Sequence, residues 1–96
     1  MKSFRWNPEE NEQLKAERGA SFEQVVTAIE SNGLRDVLNH RNPAKYPRQR
    51  VLVVTFDDYA HLVPFVEEEE FFFLKTIIPS RMATREYLQE EDDDEA

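Results

Sequence analysis

Residues 51–78 read VLVVTFDDYAHLVPFVEEEEFFFLKTII, and the fold turns on this stretch. Val51 to Phe56 is a β-branched run, Tyr59 to Val66 is a second extended run, and Phe71 to Ile78 is a third. Asp57-Asp58 separates the first two and predicts a hairpin, although the glycine of the tightest turns is missing. Four adjacent glutamates, Glu67 to Glu70, are expected to form the next hairpin loop rather than a paired strand. Pro64 cannot donate to a ladder, so it is expected at an edge or a bulge. Three successive antiparallel strands are the expectation.

Downstream, Pro79-Ser80 ends the last strand and caps a helix from about Arg81 to Gln89. Upstream, the chain begins with a short strand, Ser3 to Trp6, with Phe4 and Trp6 on one face. Asn7-Pro8-Glu9-Glu10 then starts a helix. Asn7 caps it, Pro8 suits the first turn, and the acids favour the positive end of the dipole. Gly19 stops that helix. Ser21 and Gln24 form a capping box, followed by Phe22, Val25, Val26 and Ile29 as one apolar stripe, and Gly33 ends this second helix. The reading is α+β: two N-terminal helices packed on an antiparallel sheet of about four strands, with a short C-terminal helix. Residues 1–89 make a single domain, and residues 90–96 an acidic, mobile tail.

Charge is unevenly distributed. The chain carries net −8, but six of its twenty acids lie in the EEDDDE run before the terminal alanine, and removing those six leaves −2. Residues 35–50, RDVLNHRNPAKYPRQR, hold five of the twelve cations against one acid, and residues 75–85 hold three against none. Overall charge is therefore a poor guide to the partner, and the two basic islands are better ones. With no cysteine, disulfide frameworks and thiolate metal sites are excluded, and a reducing compartment is compatible. No stretch approaches the roughly 20 apolar residues that span a bilayer, and no apolar run follows Lys2 and Arg5. A soluble cytoplasmic protein without membrane contact is the default expectation.

Arg81 and Arg85 stand four apart, so on the predicted helix both guanidinium groups project from one face near its N-terminus and suit a phosphate. Lys75 is expected to emerge from the sheet beside them, giving three cations around one phosphate. The alternative is that Arg81 and Arg85 pair with Glu86, Glu90 or the acidic N-terminal helix on a solvated face. Acid–base candidates are His40, Glu86, Tyr87, Tyr46, Tyr59 and His61. Histidine titrates nearest neutrality, and His40, inside a basic island, is the better of the two histidines. His61 alternates with Tyr59 and Val63 and reads as a packed or surface strand residue, and Tyr87 reads equally well as a core aromatic. The first island, with Asn42-Pro43 and Tyr46-Pro47, reads as an irregular loop in which Arg41, Lys45, Tyr46, Arg48 and Arg50 contact RNA phosphates and bases. An ordinary polar loop is the competing reading. No nucleophile triad, glycine-rich phosphate loop or zinc motif is present, so no metal or cofactor is expected. Of Phe71 to Phe73, at least one faces away from the core and offers a contact patch.

Both ends of the chain resemble a known family. FRWNPEENEQLKAERGASFEQVVTAI is similar to the opening of BrnT-like toxins, and TIIPSRMATREYL is similar to their closing motif. The likeness spans roughly residues 3–89. It departs from the family's pattern at Arg18-Gly19, at Pro79 and in the acidic tail. The resemblance implies a RelE-like fold and the toxin half of a type II toxin–antitoxin module. That role is a metal-independent endoribonuclease that inhibits translation and is neutralised, as a hetero-oligomer, by a ribbon-helix-helix antitoxin. A non-catalytic protein-binding module, or an inactive toxin homologue, is the second expectation.

Overall fold

The computed structural model describes residues 2–88, so the acidic tail and the end of the last predicted helix lie outside the described residues. Nine elements follow in order: β1 (Ser3–Trp6), α1 (Pro8–Arg18), α2 (Phe22–Glu30), β2 (Leu34–Asn39), β3 (Gln49–Phe56), β4 (Tyr59–Glu67), β5 (Phe71–Leu74), β6 (Ile78–Pro79) and α3 (Arg81–Tyr87). The fold is α+β, and no helix among the described residues is long and apolar enough to cross a membrane.

The sheet runs β1-β5-β4-β3-β2, with β6 also paired to β4. It has six strands rather than about four, and it is mixed, because β1 joins β5 in parallel register, Phe4 opposite Phe72 and Trp6 opposite Leu74. The β3–β4 hairpin turns on Asp57 and Asp58 alone, both left-handed, with φ of 55° and 59°. Aspartate tolerates that conformation better than most non-glycine residues, which is how a two-residue turn forms without glycine. The first basic island is not irregular throughout. Its opening residues form β2, which pairs with β3 through a bulge between Leu34 and Asp36. As an edge strand exposed along its whole length, β2 has no buried face to announce it in the sequence.

Pro64 lies in β4 with partners on both sides rather than at an edge. Its carbonyl accepts from the Lys75 amide on the β5/β6 side, so its missing donor faces the gap between those strands. That gap also explains why FFFLKTII is not one strand. In an unbroken strand Ile77 would share a side with Phe71 and Phe73. The irregular residues between Leu74 and Ile78 instead turn Ile77 into the core, where it is fully buried, and Arg18 donates to its carbonyl at 3.0 Å.

Local signals explain the helices. Asn7 accepts from Glu9 and Glu10, and Gly19 closes α1 at φ 66° with its amide on Lys15. The Ser21–Gln24 capping box is complete, at 3.2 and 2.9 Å. Buried Asn11 joins the two helices: its Oδ1 accepts from the Phe22 amide and its Nδ2 donates to Glu23. That bond, more than any other influence, holds the Glu23 carboxyl below its ordinary range. Helix α2 ends at Ser31, and Asn32 takes the left-handed conformation. Gly33 does not end the helix. It lets the helix end press against β3, since a β-carbon there would lie 2.7 Å from the carbonyl oxygens of both Ala28 and Thr55.

Phe22, Val25 and Ala28 of α2 and Leu14 of α1 pack on Leu52, Val54, Val63, Phe65, Leu74 and Ile77. Trp6 stacks on Phe22 at 5.5 Å. This main core occupies one side of the sheet. A smaller cluster on the other side, Val53, Ala60 and Ala83 with Leu62 and Tyr87 against it, seats α3.

Candidate nucleic-acid interface

Helix α3 is held to the sheet by one narrow face. Ser80 caps it by accepting from the Ala83 amide at 3.0 Å. The Thr84 hydroxyl donates to the Ser80 carbonyl and accepts from the Ala60 amide, each at 2.8 Å. At the far end the Tyr87 hydroxyl donates to Asp36 Oδ2 at 2.8 Å, tying α3 to β2. Because Ala83, Thr84 and Tyr87 face the sheet, Arg81, Met82, Arg85 and Glu86 are left exposed. Among the described residues neither Arg81 nor Arg85 has a carboxylate within ion-pair distance, Glu86 included. Lys75 is exposed, in the gap between β5 and β6. Its amide meets Pro64, whereas the Ser80 amide meets Ala60. Those contacts are four residues apart along β4, roughly 13 Å. The backbone of Lys75 and the start of α3 are thus separated along the sheet by about that distance.

The remaining predicted residues lie elsewhere. His40, Arg41, Lys45, Tyr46 and Arg48 sit in the connection from β2 to β3. The His40 ring meets Tyr46 at 4.6 Å, and Lys45 stands over Tyr46. His40 Nδ1 accepts from the Asn42 amide at 2.9 Å, which puts the proton of the neutral ring on Nε2. His40 follows Asp36 by four residues, roughly 13 Å along β2 from the point where Tyr87 reaches that strand. Arg48 and Arg50 face carboxylates, Glu68 at 3.2 Å and Glu67 at 2.6 Å. Lys2 also binds Glu67, at 2.8 Å, and its hydrogen bond, with the Arg50 charge behind it, holds that carboxyl below its ordinary range. His61 is packed: its ring stacks on Phe56 at 3.9 Å, Nδ1 is buried without a partner among the described residues, and burial pushes the imidazole below its ordinary value.

The cations divide between the two sides of the sheet. Strand alternation puts Arg50 and Glu67 on the side of Leu52 and Phe65, the side that carries α1 and α2. Lys2 reaches the same side, over the Phe72 ring. On the opposite side stand Arg81 and Arg85 on α3, and Arg5, opposite Phe73 in the register and stacked over the Phe71 ring at 4.8 Å. None of these holds a carboxylate among the described residues. Sequence reasoning missed Arg5. Its signal was its place between Phe4 and Trp6, which assigns it to the face opposite theirs.

Comparison with protein-family models, with curated proteins and with solved structures finds no match.

Proposed function

We propose that this protein is the toxin of a two-protein toxin–antitoxin module, acting on RNA in the cytoplasm and held inactive in a hetero-oligomer with a ribbon-helix-helix antitoxin. The observation that carries the reading is the pair Arg81 and Arg85, one turn apart on α3, exposed and without a carboxylate among the described residues. Two free guanidinium groups on one helix face suit a phosphodiester, and the same residues lie within the motif similar to the toxin family. Cleavage then proceeds by attack of the RNA's own 2′-oxygen on phosphorus, its proton passing to solvent water; a 2′,3′-cyclic phosphate forms as the P–O5′ bond breaks, and the departing 5′-oxygen takes up a proton from solvent. The arginines, with Lys75 beyond them, stabilise the negative charge on the phosphoryl oxygens. Glu86, exposed beside Arg85, is the carboxylate nearest in sequence to that pair.

A second reading, a binding module without catalysis, is favoured by one observation: two of the acid–base candidates are already engaged, His40 Nδ1 by the Asn42 amide and the Tyr87 hydroxyl by Asp36. Induced expression of the chain alone in bacteria separates the two. Growth arrest with fragmented bulk RNA, both lost in the Arg81→Ala/Arg85→Ala double variant, is the expected result. Normal growth with intact RNA refutes the toxin reading. Arrest with intact RNA, unchanged in the double variant, supports the binding module.

A further inference from the structure

The two faces of the central strands are covered very differently. On the α1/α2 side, Leu52, Val54, Val63, Phe65 and Leu74 are buried. On the other side, Val53 and Ala60 are closed off by α3, but Val51, Leu62, Pro64, Val66, Phe71 and Phe73 are only half-buried, and Leu38 is 40% exposed. A seven-residue helix is too short to cover a six-stranded sheet, so an apolar strip runs from α3 to the β4–β5 turn. Cations without carboxylates stand at both ends of it, Arg81 and Arg85 at one and Arg5 at the other.

We infer that this strip is a stacking platform for single-stranded RNA, with Phe71 and Phe73 as the base-stacking residues and Arg5 as a phosphate contact. The inference rests on the proposed action on RNA and deepens it by naming the form of RNA and the residues that hold it. Val66 pairs with Phe73, six residues along β4 from Ala60 and roughly 20 Å from the row where α3 is anchored, which is room for a few nucleotides. Arg5 stands over Phe71, its guanidinium carbon 4.8 Å from the ring centroid, and sets a cation beside the aromatic surface, the combination that receives a base and its phosphate together. Carboxylates limit the path. Glu69 and Glu70 sit in the turn before Phe71 at that end of the strip, Glu86 is exposed on α3 together with Arg81 and Arg85, and Asp36 is occupied by the Tyr87 hydroxyl. A duplex keeps its bases stacked on one another and cannot offer them to Phe71 and Phe73, so the platform selects unpaired strands.

The test is fluorescence anisotropy with a short fluorescein-labelled RNA of mixed sequence, 2′-O-methylated so that it cannot be cut, alone and annealed to its complement. The single strand is expected to bind the wild-type protein at least about tenfold more tightly than the duplex. Phe73→Thr, Phe71→Thr and Arg5→Ala each weaken it by about tenfold, the scale of one lost stacking contact. Threonine keeps the strand's β-branched preference, and a cooperative thermal transition checks that each variant folds. Photo-cross-linking of 4-thiouridine RNA to the wild-type chain needs no variant, and adducts are expected on the peptide holding Phe71 and Phe73. Undiminished binding by all three variants, or adducts confined to residues 40–48, overturns the platform while leaving an RNA-directed toxin intact. No binding of the single strand also overturns it, and the growth assay then decides the toxin reading separately. Variants that keep RNA affinity but lose a co-expressed antitoxin assign the strip to a protein partner instead.

Discussion

Gly33→Ala is expected to cost this protein far more stability than Gly19→Ala, although only Gly19 has a positive φ. At Gly33 the added β-carbon would stand 2.7 Å from the Ala28 and Thr55 carbonyl oxygens and 2.9 Å from the Ala28 β-carbon, where ordinary contact begins at 3.4 Å. The helix end and β3 must therefore separate by about 0.7 Å, and neither is free to move. The Gly33 amide donates to Ala28 at 2.6 Å, and its carbonyl accepts from the Thr55 amide at 2.8 Å. Overpacking of this kind costs about 3 kcal/mol at its upper range. The smaller entropy of the unfolded alanine chain returns somewhat under 1 kcal/mol, leaving about 2 kcal/mol. For a domain of this size that lowers Tm by about 10 °C. At Gly19 a β-carbon meets nothing within 4 Å, so only the left-handed backbone is penalised, by about 1 kcal/mol before the same entropic return. Differential scanning calorimetry of both variants checks the order. A Gly33→Ala protein that melts with or above Gly19→Ala would refute the argument that helix α2 and strand β3 meet at a fixed, alanine-excluding distance.

Acid should destabilise the fold through His61. Its folded pKa is lowered by burial, so the neutral form is favoured and the stabilisation is complete above the unfolded value of about 6.5. It is lost as pH falls below that value, and urea midpoints at pH 7.5 and 5.5 should differ by more in the wild type than in His61→Leu. Asp58→Gly should stabilise by about 0.5 kcal/mol, because the second residue of the β3–β4 turn sits at φ 59° and glycine adopts that conformation freely; a lowered urea midpoint would count against it. Tyr87→Phe removes one exposed hydrogen bond to Asp36 and should cost about 0.5–1 kcal/mol by chemical denaturation. If the hydroxyl serves only to clasp α3 to β2, growth arrest persists in that variant, and its loss without loss of fold would make Tyr87 part of the chemistry.

The helix starts and the end of α1 were legible because they depend on near neighbours. Asn7, Gly19, the Ser21–Gln24 box and Ser80 each satisfy backbone groups within four residues, so their meaning survives without the rest of the fold. The α2 stripe and the β3–β4 hairpin were legible for the same reason, as periodicity and a turn. Less visible were features created by distant residues. Strand β2 forms only because β3 offers it a ladder, β1 joins β5 through pairs 68 residues apart in sequence, and Pro64 is tolerated in a central strand because its neighbour is broken there.

The candidate site divides along the same line. The sequence alone determined that Arg81 and Arg85 share a helix face, that the chain is locally basic within an acidic whole, and that one or more of Phe71 to Phe73 turns away from the core. Only the tertiary structure decided which cations remain available: Arg48 and Arg50 meet the Glu67–Glu68 carboxylates across the sheet, whereas Arg5 meets Phe71 on the opposite side. Composition counts charges, but whether a charge is free depends on what the folded chain brings within a few ångströms of it, and in this protein those partners lie 17 and 20 residues away, at the end of strand β4 and just beyond it.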